Sequence, residues 1–180
     1  ATGVGGNVRD VMCMGAEVIA CTDSFRFGEI NRNKTKWIHD GVVAGIAGYG
    51  NPLGIPNISG DIYYHEGYNE NCLVTLVTLG IVREDHIIHS YAPKNAEGYD
   101  LILIGKPTDN SGFGGASFAS LELEEKKKEQ NKGAVQEPNA FLERHLLKST
   151  YALFNILKEK NLINNIGFKD LGAGGVACAS

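Results

Sequence analysis

What the sequence holds in short supply narrows its role. Four cysteines, Cys13, Cys21, Cys72 and Cys178, stand among apolar neighbours without a C-x-x-C spacing. This argues against a disulfide framework and predicts buried free thiols. The five histidines, His39, His65, His86, His89 and His145, are not grouped as ligands, so no zinc centre is expected. Basic charge is also scarce: 17 Lys and Arg face 21 Asp and Glu, for a net charge of -4. No basic patch stands out, and nucleic acid is not an expected partner. Nor does any apolar run approach the ~20 residues that span a bilayer, and no signal peptide is recognisable. The expectation is a cytoplasmic protein with no membrane partner.

Glycine is the residue in excess, with 23 among 180. The glycines cluster beside polar residues, as ligand-approaching turns do, and show neither a collagen period nor linker monotony. The chain opens Ala1-Thr-Gly-Val-Gly-Gly-Asn-Val-Arg9-Asp10. Read as a turn, Gly3, Gly5 and Gly6 would converge N–H groups on an anion. Arg9 can fork onto a phosphate or carbonyl oxygen, and Asp10 offers oxygen to a hard cation. The same string also reads as a glycine turn followed by a helix-start ion pair. Near the other end, Asp170-Leu-Gly-Ala-Gly-Gly175 repeats the pattern of an acid beside glycines. Asp10 and Asp170 could hold Mg²⁺ between them and a nucleotide, or belong to two unrelated turns. Neither turn is a P-loop.

Hydrophobic periodicity predicts a short helix over 7–14 closed by Gly15, a strand over 16–27, and a helix over 34–49 ended by Gly48, Gly50 and Pro52. Strands are predicted over 57–65, 71–79 and 85–91, before a Pro-Lys-Asn-Ala-Glu-Gly loop that marks a subdomain boundary. Past it, 99–104 reads as a strand covered on both faces. A helix over 139–160 takes Asn139 as its N-cap and places Leu142, Leu146, Leu153, Ile156 and Leu157 on one face. A last strand is predicted over 163–169. The charge run at 122–129 reads as a solvated face or loop.

Taken in order, several strings resemble phosphoribosylformylglycinamidine synthase subunit II. They are Thr2 to Asp10 followed by Met14-Gly-Ala, Asp23-Ser-Phe-Arg-Phe-Gly28, Gly41-Val-Val-Ala-Gly-Ile46, Tyr49-Gly-Asn51, Gly115-Ala-Ser-Phe-Ala-Ser120, Val135-Gln136 and Asp170 to Gly175. Together they span nearly the whole chain. The resemblance implies a mixed α/β fold of the aminoimidazole ribonucleotide synthetase type. Residues 1–98 would be a barrel-forming subdomain, with an antiparallel or mixed sheet and a flanking helix, and 99–180 the beginning of an α/β sandwich subdomain. It further implies an ATP-dependent ligase that converts formylglycinamide ribonucleotide to its amidine through an iminophosphate, with ammonia from a glutaminase subunit and with a small accessory subunit. Carried over by position, Arg9 and Gln136 would bind substrate, and Asp10 and Asp170 would coordinate Mg²⁺. The residues alone leave other roles open, Gln136 as a loop cap before Pro138 and Asp170 as a turn acid.

Two departures from the family pattern stand out. Its loop T-G-R-D-G-I-H-G-A is here Thr108-Asp-Asn-Ser-Gly-Phe-Gly-Gly-Ala116, so the acid and the His are replaced and no site residue is assigned there. The family's catalytic His, and the Lys and Glu that serve ATP and metal, would lie before Thr2. The expectation is therefore an internal fragment of the first half, inactive alone and prone to self-associate through its sheet. The alternatives are another ATP-dependent member of the superfamily, of the aminoimidazole ribonucleotide synthetase, selenophosphate synthetase or thiamine-monophosphate kinase type, and a non-catalytic oligomerisation module.

Overall fold

The computed structural model describes residues 1–107, 112, 136–172 and 175–179. The predicted charge run at 122–129, nearly all of the loop at 108–116 and the side chain of Cys178 lie outside the described residues. The element order is α1 (Thr2–Cys13), β1 (Glu17–Phe27), α2 (Asn33–Leu53), β2 (Asn57–Tyr64), β3 (Leu73–Ile81), α3 (Ala140–Glu159) and α4 (Val176–Ala179), with short 3₁₀ turns between some of them.

Helix α1 begins at Thr2, so Gly3, Gly5 and Gly6 are helical and none of them adopts positive φ. The expected anion-binding turn is absent. Glycine disfavours a helix by about 1 kcal/mol per residue relative to alanine. Against this, Val4, Val8 and Met12 recur every four residues and are all buried. Burying each of them is worth about 1.5–3 kcal/mol, so burial outweighs propensity. They pack with Tyr49 and Leu53 of α2, Ile55, Cys21 of β1 and Leu147 of α3, which puts α1 at the centre of the core. Gly5 has a specific reason to be glycine, since a Cβ there would stand 2.5 Å from the Tyr49 hydroxyl oxygen. Gly15, at φ +83°, closes the helix as expected.

The strands form a mixed sheet in the order β2-β1-β3, with β1 parallel to β2 and antiparallel to β3. Helix α2 is the crossover that a parallel β1–β2 pair requires. It runs past Gly48, Gly50 and Pro52 to Leu53 and ends at Gly54, which is left-handed at φ +71°. There the Gly54 N–H donates to the Asn51 carbonyl and the Ile55 N–H to the Gly50 carbonyl. Two carbonyls are thereby satisfied at the stop, which Gly48 and Gly50 within the helix could not arrange. Arg144 of α3 also donates to the Leu53 carbonyl, placing a cation at the negative helix end. The edge strands are largely exposed on both faces, including Ile58, Ile62, Leu73, Val77 and Ile81.

Three predicted strands do not form. Residues 85–91 hold a 3₁₀ turn, Glu84–His86, and then an extended stretch that donates from Ile88 N–H to the Met14 carbonyl. The segment at 101–104 is exposed and makes no ladder among the described residues. After the 3₁₀ turn Ile163–Asn165, the 166–169 segment is tied to the 85–91 stretch through Phe168 N–H, which donates to the His89 carbonyl, without forming a ladder among the described residues. An apolar run becomes a strand only where a neighbour receives its hydrogen bonds. Helix α3 forms with Asn139 as its cap, its side chain accepting from Leu142 N–H at 2.9 Å. Its buried face differs from the predicted one. It is Glu143, Leu147, Thr150 and Phe154, whereas Leu153 and Ile156 are exposed. Cys13 and Cys21 are buried free thiols as expected, and Cys72 is only half-buried.

The helix predicts opposite responses among its glycines. Nothing lies within 4 Å of a Cβ built at Gly3 or Gly6. Gly3→Ala and Gly6→Ala should each raise stability in chemical denaturation by roughly 0.5–1 kcal/mol. Gly5→Ala should lower it, because the buried Tyr49 ring must move.

Candidate functional site

Arg9 and Asp10 lie in the last turns of α1, and Asp170 lies between the 3₁₀ turn Ile163–Asn165 and α4. The fold brings the two acids together. Burial raises the Asp10 pKa, and the charge of Asp170 and a hydrogen bond with its carboxyl raise it further, against a smaller opposing effect of Arg9. A pair of carboxylates sharing space in this way favours either a proton or a cation between them.

The guanidinium of Arg9 does not pair with its sequence neighbour. It forks onto Glu143 of α3, with Nε at 3.3 and 3.2 Å from the two carboxylate oxygens and Nη2 at 2.9 Å from Oε2. The Glu143 side chain is 3% exposed and that of Arg9 24%. Burial opposes the charge on Arg9, yet the Glu143 hydrogen bond and charge outweigh it and hold its pKa above the ordinary value. Such a fork combines strength with fixed direction. Tyr49 lies beside this pair and beside the backbone of Asn139; burial, then the Glu143 charge, raises its pKa, while Arg9 opposes. Beneath them the Cys13 thiol is pushed up to about 12, chiefly by burial and then by Asp170, which leaves it an inert packing group.

Gln136 sits at the opposite end of α1. Its backbone carbonyl accepts from the Thr2 hydroxyl at 3.3 Å, and a Cβ on Gly112 would stand 2.5 Å from its Cγ. Thr2 and Asp10 are separated along one helix by about 12 Å, at 1.5 Å per residue. Arg9, Asp10 and Asp170 therefore form one cluster, and Gln136 is held at the far end of the same helix. Sequence reading missed Glu143 and Tyr49. A search for apolar periodicity discards a glutamate, although the spacing 143, 147, 150, 154 was available once an unpaired arginine was asked for its counter-charge.

Among the described residues no group of three or more His, Cys, Asp or Glu could hold a metal. The acid pair still fits Mg²⁺, which is commonly bound by one or two carboxylates and completed by water and phosphate oxygens. Asp170 leads into the second glycine segment, where Gly175 is left-handed at φ +61°.

The raised Asp10 pKa fixes the sign of a pH effect in the metal-free protein. A carboxyl whose pKa is higher folded than unfolded contributes stability below the unfolded value of about 3.9, and that contribution is lost as pH rises through the folded value. Asp10→Asn removes this titration. Its stability relative to the parent, followed by denaturant midpoints in metal-free buffer, should therefore rise as pH increases from 3 to 7.

Residues 1–82 match the model for the N-terminal domain of AIR synthase related proteins, and residues 96–180 the model for their C-terminal domain. Phosphoribosylformylglycinamidine synthase subunit PurL of Methanothrix thermoacetophila is 51% identical over 185 residues, covering 100% of this chain and 24% of that protein. Thermotoga maritima PurL complexed with FGAR superposes with a TM-score of 0.76 at 34% identity, over 99% of this chain and 27% of that one. The same subunit complexed with ATP gives 0.69 at 30% identity, over 99% and 24%. The chain thus spans about a quarter of the length of the relatives it matches. It belongs to the phosphoribosylformylglycinamidine synthase subunit II family, within the AIR synthase related proteins.

Proposed function

We propose that these residues form part of the nucleotide and substrate site of an ATP-dependent ligase of purine biosynthesis, which converts formylglycinamide ribonucleotide to formylglycinamidine ribonucleotide with glutamine-derived ammonia. The observation that carries the reading is the meeting of Asp10 and Asp170, distant in sequence, beside Arg9. Phosphoryl transfer to an amide oxygen requires little covalent help from a protein and depends on positioning and on neutralising developing charge. Asp10 and Asp170 would hold Mg²⁺, which when bound neutralises and orients polyphosphate oxygens. Arg9 would offer its accessible N–H groups to a phosphate or amide oxygen of the substrate. Gln136, tethered through its carbonyl to Thr2, would use its side-chain amide on the ribonucleotide at the other end of α1. The general base, the glutaminase that supplies ammonia and the small accessory subunit belong to the complete enzyme, for which a cytoplasmic location is the natural setting.

The exposed apolar strands β2 and β3 support a second element of the proposal, that this sheet pairs with another to complete a barrel. Ile62, Leu73, Val77 and Ile81 are each about half exposed or more, at 49%, 51%, 48% and 62%. A surface of this kind favours association.

The experiment for the ligase reading uses Asp10→Asn and Asp170→Asn in the full-length protein. Mg²⁺-dependent ATP binding, measured by calorimetry, should fall by at least about tenfold in each, since each removes one charged metal donor. The circular dichroism spectrum should be retained. Unchanged Mg²⁺-dependent binding in both variants would overturn the assignment.

A further inference from the structure

We propose that Glu143, with Tyr49 beside it, is a positioning residue that fixes the direction in which Arg9 meets the substrate; the inference rests on the reading of Arg9 as a substrate contact. Glu143 occupies one edge of the guanidinium, through Nε and Nη2, while the Arg9 side chain keeps 24% of its surface open. What remains accessible is thereby presented at a fixed angle from the turn of α1 that also carries Asp10.

A stability role alone accounts poorly for this glutamate. It stands in the buried stripe of α3 with Leu147, Thr150 and Phe154, where a packed apolar residue opposite another would serve the fold as well as an ion pair or better. The need arises from the acids on the other side. Arg9 is within electrostatic reach of both Asp170 and Asp10. Without a competing carboxylate, a flexible arginine would be drawn onto that pair and would occupy both the cation position and its own substrate-binding edge. Glu143 keeps the guanidinium drawn back toward α3. Tyr49, which a Cβ at Gly5 would strike, stands against the same two groups and restricts their movement. Glycine at position 5, tyrosine at 49 and glutamate at 143 thus serve one geometrical end.

The test uses the full-length protein with Glu143→Gln, Tyr49→Phe, Arg9→Ala and the double variant Arg9→Ala with Glu143→Gln. The readouts are the KM for formylglycinamide ribonucleotide and, separately, for ATP. A misdirected guanidinium should raise the ribonucleotide KM in Glu143→Gln by roughly 10- to 100-fold. The ATP KM should stay within about twofold, and Tyr49→Phe should shift the ribonucleotide KM in the same direction by a smaller factor. In the Arg9→Ala background the Glu143 substitution should add nothing, because it acts only through Arg9. Equal increases in both KM values, or a Glu143 effect that persists without Arg9, would overturn the proposal. An Arg9→Ala variant with unchanged ribonucleotide KM would remove the substrate reading of Arg9 and the inference with it. A raised KM in Arg9→Ala with none in Glu143→Gln or Tyr49→Phe would remove the positioning role alone. Should Glu143→Gln fail to fold, Tyr49→Phe, which deletes only a hydroxyl, decides the matter by the same KM comparison.

Discussion

The burial of α1 is the constraint on which the rest of the structure depends. A segment with glycine at positions 3, 5 and 6 would not hold a helix in water. It does so here because Val4, Val8 and Met12 are enclosed by α2, α3 and the sheet. Gly3 and Gly6 leave open space on the helix surface, while Gly5, itself buried, admits the ring of Tyr49. Once α1 is fixed, Arg9 and Asp10 at its C-terminal end and the tether of Gln136 at its N-terminal end are fixed with it.

The charge arrangement follows from the same burial. Bringing α3 against α1 places Glu143 on Arg9 in a mostly water-free contact, where losing one partner would strand the other at a cost of about 3–5 kcal/mol. Chain reversal after α3 rests on Asn161, left-handed at φ 57°, with Leu162 N–H returning to the Leu157 carbonyl at 2.8 Å. This turn, the Ile163–Asn165 turn and the packing of Phe168 carry the chain back to deliver Asp170 beside Asp10. The acid pair is therefore a product of tertiary closure, its members standing 160 positions apart in the sequence.

What was legible in the sequence divides along physical lines. Signals that act locally were readable. The Asn139 cap, the β1 strand and Gly15 after α1 each depend on a few neighbouring residues. Signals that depend on a partner were readable only in part, since the runs that became β1, β2 and β3 pair with one another and three other predicted strands do not form. The apolar runs at 99–104 and 163–169 look like strands, but nothing in the runs themselves reveals whether a neighbour accepts their hydrogen bonds. Glycines 3, 5 and 6 misled for the complementary reason, since propensity argued for a turn and tertiary burial decided for a helix. Arg9, Asp10 and Asp170 stood out in the sequence as charged residues beside glycines, but the partner of Arg9, Glu143 on a distant helix, carries no local mark that would point to it.

A cation beside two acids is unstable as an arrangement, because electrostatics favours collapse of the three into a neutralising cluster with no room for ligand. Keeping them separate requires opposing charge placed on the far side and buried deeply enough that solvent does not screen it. Glu143 meets both conditions, being almost fully enclosed and directed at the guanidinium from α3. Its burial carries a desolvation cost that packing alone would not justify, and under the positioning role proposed for it that cost is offset by holding the guanidinium back from the acid pair.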